Sequence, residues 1–219
     1  MELEMMNYLM SLDVGLFHLT NAMWTNALLD TLMPALSRAG NLGAVWLVLL
    51  GGIAAFGKRA GREIALAGLV ALAIGFASSE LIKEIMMRPR PFAVLPDVRL
   101  LVGAPHSYAF PSGHTTSAFA AASGTLLAAK RFLGRVPVWG WGMLALAAIM
   151  AYSRLYVGVH WPTDMAAGVV LGLASGLAGV RLALRPWMRT RIRRPEPAAT
   201  PVAAAGGVRE VEYREVTPR

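Results

Sequence analysis

The chain has 219 residues, of which 56% are hydrophobic and only 16% are charged, and it carries a formal net charge of +8. Since a soluble domain usually contains about 25% charged residues, this composition favours a membrane protein. The absence of cysteine excludes disulfides and cysteine-ligated metal sites, and positive charge concentrated in short loops and the C-terminal tail argues against a nucleic-acid-binding face.

Apolar segments that approach the length of a membrane span recur along the chain, since a transmembrane helix needs about 20 mostly apolar residues. The first, residues 15–37, is interrupted by polar side chains and is expected to form either one span or an interfacial helix followed by a short span. The others are residues 42–57, 63–86, 113–130, 136–153 and 163–184. The sequence therefore predicts an all-α integral-membrane bundle of about six transmembrane helices.

Basic residues between these segments predict how the bundle lies in the cell membrane. Lysines and arginines cluster in residues 58–62, in residues 130–135 and after residue 184. With six spans these three regions share one side, which the positive-inside rule makes cytoplasmic. The loops at 87–112 and 154–162 then face outward. These loops nevertheless contain four arginines: Arg88, Arg90, Arg99 and Arg154.

The C-terminal residues differ in composition from the rest of the chain. Residues 195–219 are rich in proline, alanine, glycine and charge, and they follow a short arginine-rich stretch. Such a segment has too little apolar surface to fold against itself. We therefore expect a membrane domain at residues 1–185 and a basic, then disordered, cytoplasmic tail at residues 186–219.

Ionisable side chains, which are costly to hold near lipid, form three clusters on the predicted outer side. The clusters are KEIMMRPRP at residues 83–91, PSGH at residues 111–114 and SRLYVGVHWPTD at residues 153–164. Each alone has a structural explanation: a snorkelling lysine, a turn before a helix, or a carboxylate favoured by a helix dipole. Together they place an excess of cations at a membrane face, which implies an anionic ligand.

The residue types in these clusters suit phosphate chemistry. Arginine forks and a lysine bind tetrahedral oxyanions, and backbone N–H groups at the start of a helix bind phosphate oxygens. Phosphoryl transfer also needs a nucleophile and an acid for the leaving oxygen. Asp164 follows His160 by four residues and can hold one of its ring nitrogens, which leaves the other free to attack. His114 would then be the acid.

The three clusters match the motifs of a known family. They read Lys83-x6-Arg90-Pro91, Pro111-Ser112-Gly113-His114 and Ser153-Arg154-x5-His160-x3-Asp164. The chain therefore resembles the type-2 phosphatidic acid phosphatase superfamily, whose motifs are K-x6-R-P, P-S-G-H and S-R-x5-H-x3-D. The motifs span residues 83–164, and the pattern of apolar segments extends the resemblance to about residue 185.

The resemblance implies a role for each matched residue. His160 resembles the nucleophile, which forms a phosphohistidine, Asp164 the residue that orients it, and His114 the general acid. The phosphate pocket implied by the family consists of Lys83, Arg90, Ser112, Gly113 and Arg154. The family needs no metal and no cofactor, so we expect neither.

Three further polar residues lie near the motifs. Spacing assigns the pocket role to Arg90 and leaves Arg88 without one. Glu80 is expected to pair with Lys83 on the same helix face. His106 is expected to be a solvated loop histidine, although contact with the substrate stays open.

The predicted function is a membrane lipid phosphatase or pyrophosphatase acting at the outer leaflet. Undecaprenyl pyrophosphate is the favoured substrate, because this carrier is released outside and residues 16–40 look like the N-terminal region of family members with that role. Phosphatidylglycerophosphate or phosphatidic acid, with broad specificity, is the alternative. A non-catalytic anion channel or transporter also places cations at a membrane face, but it has no need of two histidines with an acid spaced behind one. The expected partners are the bilayer and its lipid substrate, with no nucleic acid.

Overall fold

The computed structural model describes residues 2–185, and all of the regular structure in them is helical. The eight α-helices are α1 (Glu2–His18), α2 (Ala27–Ala39), α3 (Ala44–Phe56), α4 (Lys58–Met86), α5 (Pro91–Val94), α6 (Gly113–Leu133), α7 (Val138–Tyr156) and α8 (Pro162–Ala183). A π-helical turn, Leu19–Met23, follows α1, and a 3-10 turn, Asn41–Gly43, precedes α3. The all-α prediction is confirmed. The predicted tail, residues 186–219, lies outside the described residues.

Several of these helices have the length and hydropathy of membrane spans. Within the described residues, three qualify alone: the stretch Lys58–Val94, α7 and α8. The pair formed by α2 and Asn41–Phe56 qualifies together, although it is bent by 60°. The helices α3, α4, α6, α7 and α8 coincide with the five later segments predicted from the sequence, and the count of six spans stays a prediction.

The N-terminal apolar segment does not form one continuous helix. The α-helical geometry of α1 ends at His18, and α2 begins only at Ala27. Asn26 has extended backbone, and its side-chain oxygen accepts a hydrogen bond from Leu29 N at 2.9 Å. This asparagine caps α2 and so forces a new helix to start. One continuous helix over residues 15–37 is therefore excluded, and the alternative of two helices agrees with the structure.

Small residues bring α4, α6 and α8 into close contact at the centre of the bundle. A Cβ atom added at Gly172 of α8 would lie 2.7 Å from Thr116 O of α6. One added at Gly179 would lie 2.6 Å from the backbone nitrogen of Ala71 in α4. These helices therefore pack backbone to backbone, as small residues allow in membrane proteins.

The packing brings the motif-bearing helix ends to one end of the bundle. There the C-terminal ends of α4 and α7 meet the N-terminal ends of α6 and α8, and Ser112 N donates a hydrogen bond to Asp164 O at 3.0 Å. The three sequence clusters, which are distant in the chain, thus become neighbours in space.

The long loop between α5 and α6 folds over this end. Its Arg99 forms two 2.9 Å hydrogen bonds with the carboxylate of Asp30 in α2. This bridge raises the pKa of the Arg99 guanidinium. Arg99, which belongs to none of the three motif clusters, is therefore compensated by an acid.

Candidate active site

The end of the bundle at which the motifs meet encloses a cavity of about 440 Å³. Both predicted catalytic histidines and all three predicted phosphate-binding cations line it. The ionisable lining residues are Glu80, Lys83, Arg90, His114, Arg154 and His160. The structure thus brings residues of all three sequence clusters together in a single concave, cation-rich site.

His160 and Asp164 are positioned by the start of α8. Pro162 occupies the first helical position, and the Asp164 side chain reaches back so that its Oδ2 accepts a hydrogen bond from Trp161 N at 2.8 Å. The same Oδ2 lies 3.3 Å from His160 Nδ1. With its proton on Nδ1, His160 is unprotonated at Nε2.

The environment of His160 favours the neutral form of the ring. The residue is only 2% exposed, and Nε2 lies 3.2 Å from a guanidinium nitrogen of Arg90. Burial, followed by the positive charges of Arg90, Arg154 and Lys83, lowers the pKa of His160 well below its ordinary value. A neutral, oriented imidazole is the form that can attack phosphorus.

Arg90 is held rigidly at the cavity wall by backbone carbonyls. Its Nε donates to Ser107 O at 2.7 Å, and Nη1 donates to Val159 O at 2.8 Å. Nη2 donates to Tyr108 O at 3.1 Å. Because these carbonyl partners are uncharged, they fix the guanidinium without neutralising it. Its positive charge therefore stays available to an anion in the cavity.

Arg154 and Lys83 add two more cations. Arg154 is buried, and its guanidinium donates to Ser37 Oγ, whereas its Nε has no hydrogen-bond partner among the described residues. Lys83 Nζ lies 2.5 Å from Glu80 Oε1, which is the pairing expected from their spacing. The unpartnered N–H of Arg154 is a donor that an oxyanion can satisfy.

Gly113 lets the start of α6 approach the lysine closely. A Cβ atom at this position would lie 3.1 Å from Lys83 Nζ. Ser112 caps α6: its Oγ accepts a hydrogen bond from Thr115 N at 3.4 Å and another from the Thr115 hydroxyl at 3.0 Å. Ser112 and Asp164 are fully buried behind the cavity wall rather than part of its lining.

His114 has neighbours that the motifs did not indicate. Its Nε2 lies 3.1 Å from Asn41 Oδ1, in the 3-10 turn before α3. A Cβ atom at Gly40 would lie 3.0 Å from His114 Cδ2. In the sequence, the only indication of this contact is the Asn-Leu-Gly stretch between two apolar segments. Such a stretch predicts a turn and does not by itself indicate a catalytic role. His106 is exposed, as expected, and Arg88 lies outside the cavity lining.

Comparison with known proteins assigns the family. The chain matches the family described as the PAP2 superfamily over residues 64–188. The chain belongs to the PAP2 superfamily. All three motifs lie within the matched residues, so the resemblance drawn from them is confirmed.

Related PAP2 phosphatases act on lipid phosphates according to their names. An undecaprenyl-diphosphatase from Sulfolobus acidocaldarius is 35% identical over 161 residues, or 73% of each chain. A decaprenylphosphoryl-5-phosphoribose phosphatase from Mycobacterium tuberculosis is 38% identical over 135 residues, which is 62% of this chain and 68% of its relative. This PAP2 chain is therefore a phosphatase, and the channel or transporter alternative is set aside.

A solved PAP2 structure shares the fold. The PAP2-type phosphatidylglycerolphosphate phosphatase of Bacillus subtilis superposes with a TM-score of 0.64 at 23% identity, covering 87% of this chain and 90% of its own. The helical arrangement described above is thus that of a transmembrane PAP2 phosphatase.

Proposed function

We propose that this PAP2 phosphatase hydrolyses undecaprenyl pyrophosphate to undecaprenyl phosphate and inorganic phosphate, with His160 as the nucleophile. The observation that carries the proposal is the ring of His160, fixed through Nδ1 by Asp164 and directed through Nε2 into a cavity lined by three cations. This arrangement follows the nucleophile, base and orienter logic of catalytic triads.

The proposed reaction has two steps. His160 Nε2 attacks the terminal phosphorus and forms an N–P bond, while the bond from that phosphorus to the bridging oxygen breaks. The bridging oxygen keeps the electron pair, and His114 gives it a proton where the leaving group needs one. Water then attacks the phosphohistidine, His114 accepts a proton, and inorganic phosphate leaves with His160 restored.

The cations have a separate task in this scheme. Lys83, Arg90 and Arg154 bind the non-bridging oxygens, whose charge is redistributed in the transition state of phosphoryl transfer. The amide of Gly113, at the start of α6, adds a helix N-terminus to the same pocket. Ser112 supports this pocket by capping the helix that presents the amide.

An apolar groove beside the cavity supports a lipid substrate. The groove has a volume of about 340 Å³ and is lined by Leu42, Leu47, Leu69, Leu72, Ala73, Phe76 and Ser117. Leu42, Phe76 and Ser117 also line the cavity. A molecule with a phosphate head and a hydrocarbon tail can therefore occupy both spaces at once, and burying the tail contributes about 25 cal/mol per Å² of apolar surface.

The names of the relatives favour a polyprenyl tail within this lipid class. Two relatives at 35% and 38% identity are named for undecaprenyl and decaprenyl phosphates. The phosphatidylglycerolphosphate phosphatase is 23% identical, so that likeness bears on the fold alone.

The proposal includes an arrangement in the membrane. Residues 1–185 form a six-span domain with the cavity at the outer face, and residues 186–219 form a cytoplasmic tail. The basic residues between the predicted spans support this orientation. It places the site in the leaflet where the undecaprenyl carrier is released as a pyrophosphate.

A substrate panel tests the proposal. Purified protein in detergent is assayed for phosphate release from undecaprenyl pyrophosphate, phosphatidylglycerophosphate and phosphatidic acid. We expect the highest kcat/KM with undecaprenyl pyrophosphate, no turnover by His160→Ala, and normal turnover by His106→Ala, which changes an exposed histidine outside the cavity lining. Equal efficiency on all three lipids would favour the broad-specificity alternative.

A further inference from the structure

Arg88 lies outside the cavity lining but bridges two buried carboxylates. Its Nη1 is 2.6 Å from Asp164 Oδ1, and its Nη2 is 2.5 Å from Asp13 Oδ2. The side chains of Asp13 and Asp164 are 4% and 0% exposed, whereas that of Arg88 is 26% exposed. Asp13 belongs to α1 and contributes nothing to the cavity lining. The bridge thus connects the N-terminal helix to the carboxylate that faces His160.

Asp13 also binds the first turn of α8 directly. Its Oδ1 accepts a hydrogen bond from Thr163 N at 2.8 Å, and its Oδ2 accepts one from the Thr163 hydroxyl at 2.5 Å. Arg88 Nη1 donates to the same hydroxyl at 2.7 Å. A carboxylate from α1 therefore satisfies an N–H group that the helix start would otherwise leave free.

The two oxygens of Asp164 have different partners. Oδ1 receives Arg88, while Oδ2 receives Trp161 N at 2.8 Å and faces His160 Nδ1 at 3.3 Å. A carboxylate bound at both oxygens cannot rotate without breaking a charged hydrogen bond. Oδ2 therefore stays directed at His160.

Arg88 is itself fixed by more than its carboxylates. Its guanidinium carbon lies 5.5 Å from the centre of the Trp161 ring, a cation–π distance. The Trp161 ring N–H donates to Pro89 O at 3.0 Å. The arginine and the tryptophan that precedes α8 thus hold each other in place.

We propose that Arg88 is a positioning residue for His160, acting through Asp164, and that Asp13 of α1 holds Arg88 in the required orientation. The inference rests on the proposed role of His160 as the nucleophile. It assigns α1 a part in catalysis although the helix contributes nothing to the cavity lining. Without Arg88, the Asp164 carboxylate loses its fixed orientation, and His160 then less often presents a free Nε2 to the phosphate.

The primary test compares Arg88→Gln, which removes the pairs with Asp13 and Asp164, with Arg99→Gln, which removes the pair with Asp30. Turnover of p-nitrophenyl phosphate reports on the step at His160 whatever the lipid specificity. For Arg88→Gln we expect kcat to fall at least about tenfold, by analogy with the loss of a residue that orients a metal-binding side chain. KM and competitive inhibition by inorganic phosphate should stay near wild type, since the cavity cations are untouched. Arg99→Gln should keep kcat within about twofold, because Arg99 binds Asp30 and not Asp164.

A double-variant cycle separates positioning from general stabilisation. If Arg88 acts through Asp164, Arg88→Gln should lower kcat no further in an Asp164→Asn background. Losses that multiply in the double variant would overturn the inference, as would wild-type kcat in Arg88→Gln.

Two milder variants keep the test decisive if Arg88→Gln does not fold. Arg88→Lys should recover part of kcat, because it keeps the charge but cannot bridge both carboxylates. Asp13→Asn should lower kcat with unchanged KM, and normal kcat in both variants would overturn the inference. Turnover by His160→Ala would instead refute the proposed nucleophile and leave the contacts of Arg88 without this role.

Discussion

The two histidines of the cavity differ in what their ring nitrogens meet. His160 has Nδ1 against the carboxylate of Asp164, which suits an unprotonated Nε2. His114 has Nε2 at 3.1 Å from the amide oxygen of Asn41, which accepts a hydrogen bond when Nε2 carries a proton. The contacts support a division of work in which His160 attacks phosphorus and His114 carries the proton for the leaving oxygen.

This division predicts different responses to the leaving group. His114→Ala should retain more activity on p-nitrophenyl phosphate, whose leaving group needs little protonation, than on a lipid monophosphate. His160→Ala should lose activity on both, since no phosphoenzyme forms. The measurement is the initial rate of each variant on each substrate. Rescue of His160→Ala by the better leaving group, without rescue of His114→Ala, would reverse the two roles.

The lowered pKa of His160 predicts activity at acidic pH. The nucleophile must be unprotonated, and burial together with nearby cations holds its pKa below the usual value of about 6.5. Activity should therefore persist below pH 6.5 and fall only as the pH drops through the lower, folded-state pKa. The pH profile of kcat/KM reports this limb for the free enzyme. An acid limb at or above pH 6.5 would contradict the assignment.

Arg154 should not tolerate the conservative change to lysine. Its buried fork has one N–H without a partner among residues 2–185, and a lysine cannot reproduce paired contacts to phosphate. We expect kcat/KM to fall at least about tenfold, or about 1.4 kcal/mol of transition-state stabilisation. Arg181→Lys, an exposed change on α8, is the control and should leave kcat/KM unchanged. Near-normal efficiency of Arg154→Lys would remove it from the proposed pocket.

Sequence reasoning identified the cavity cations and histidines but missed their neighbours. Motif spacing selected Arg90 over Arg88, and the cavity contains Arg90. Asp13 and Asn41 gave no such signal, because each meets its partner only through the packing of helices far apart in sequence. A single carboxylate in α1 or an asparagine in a turn looks like an ordinary polar residue until that packing is known.

At the scale of helices, α4, α6 and α8 form a tightly packed frame for the site. The apolar segments predicted these helices because long hydrophobic runs in a membrane protein must satisfy their backbone internally. The sequence did not settle the break before α2, which depends on the Asn26 cap, or the 60° bend between α2 and the following helix. Single polar residues determine where such breaks occur, whereas hydropathy is averaged over many residues and does not register them.

The close contact of α8 with α4 predicts a position-specific loss of stability. Gly179→Ala places a Cβ atom 2.6 Å from the backbone of Ala71, which cannot rotate away. We expect a destabilisation of about 1–3 kcal/mol, as for other overpacked cores. Gly142→Ala in α7 is the matched control, because its added Cβ atom meets nothing within 4 Å. The two variants are compared by their midpoints of thermal inactivation in detergent. Equal midpoints would mean that α8 and α4 can move apart without a loss of stability.

At the scale of the whole molecule, the proposed orientation places the cavity outside the cytoplasm, so that the substrate enters and phosphate leaves on that side of the membrane. The charge distribution supports it, since basic residues concentrate on the side opposite the cavity. The exposed fraction of side chains does not distinguish the cytoplasmic side from the outer side, because a side chain that faces lipid and one that faces water both count as exposed. Orientation therefore depends on loop charge rather than on packing.

Cysteine labelling in intact cells tests the orientation, and the chain has no native cysteine to interfere. His106→Cys lies in the exposed loop beside the cavity and should react with an impermeant maleimide before lysis. Arg59→Cys, near the exposed start of α4, should react only after lysis. The opposite pattern would place the cavity in the cytoplasm.

The junction of cavity and groove at Leu42, Phe76 and Ser117 has a consequence for inhibitors. In the proposed binding mode, a phosphate analogue alone fills the cation-lined cavity, and an alkyl compound alone fills only the groove. A chimera joins the two fragments through a short linker that passes Ser117. Once one fragment is bound, binding of the other is intramolecular, so the affinity of the chimera exceeds that of either fragment without a new interaction. The hydrocarbon arm then adds selectivity against phosphatases that lack a groove beside the phosphate pocket.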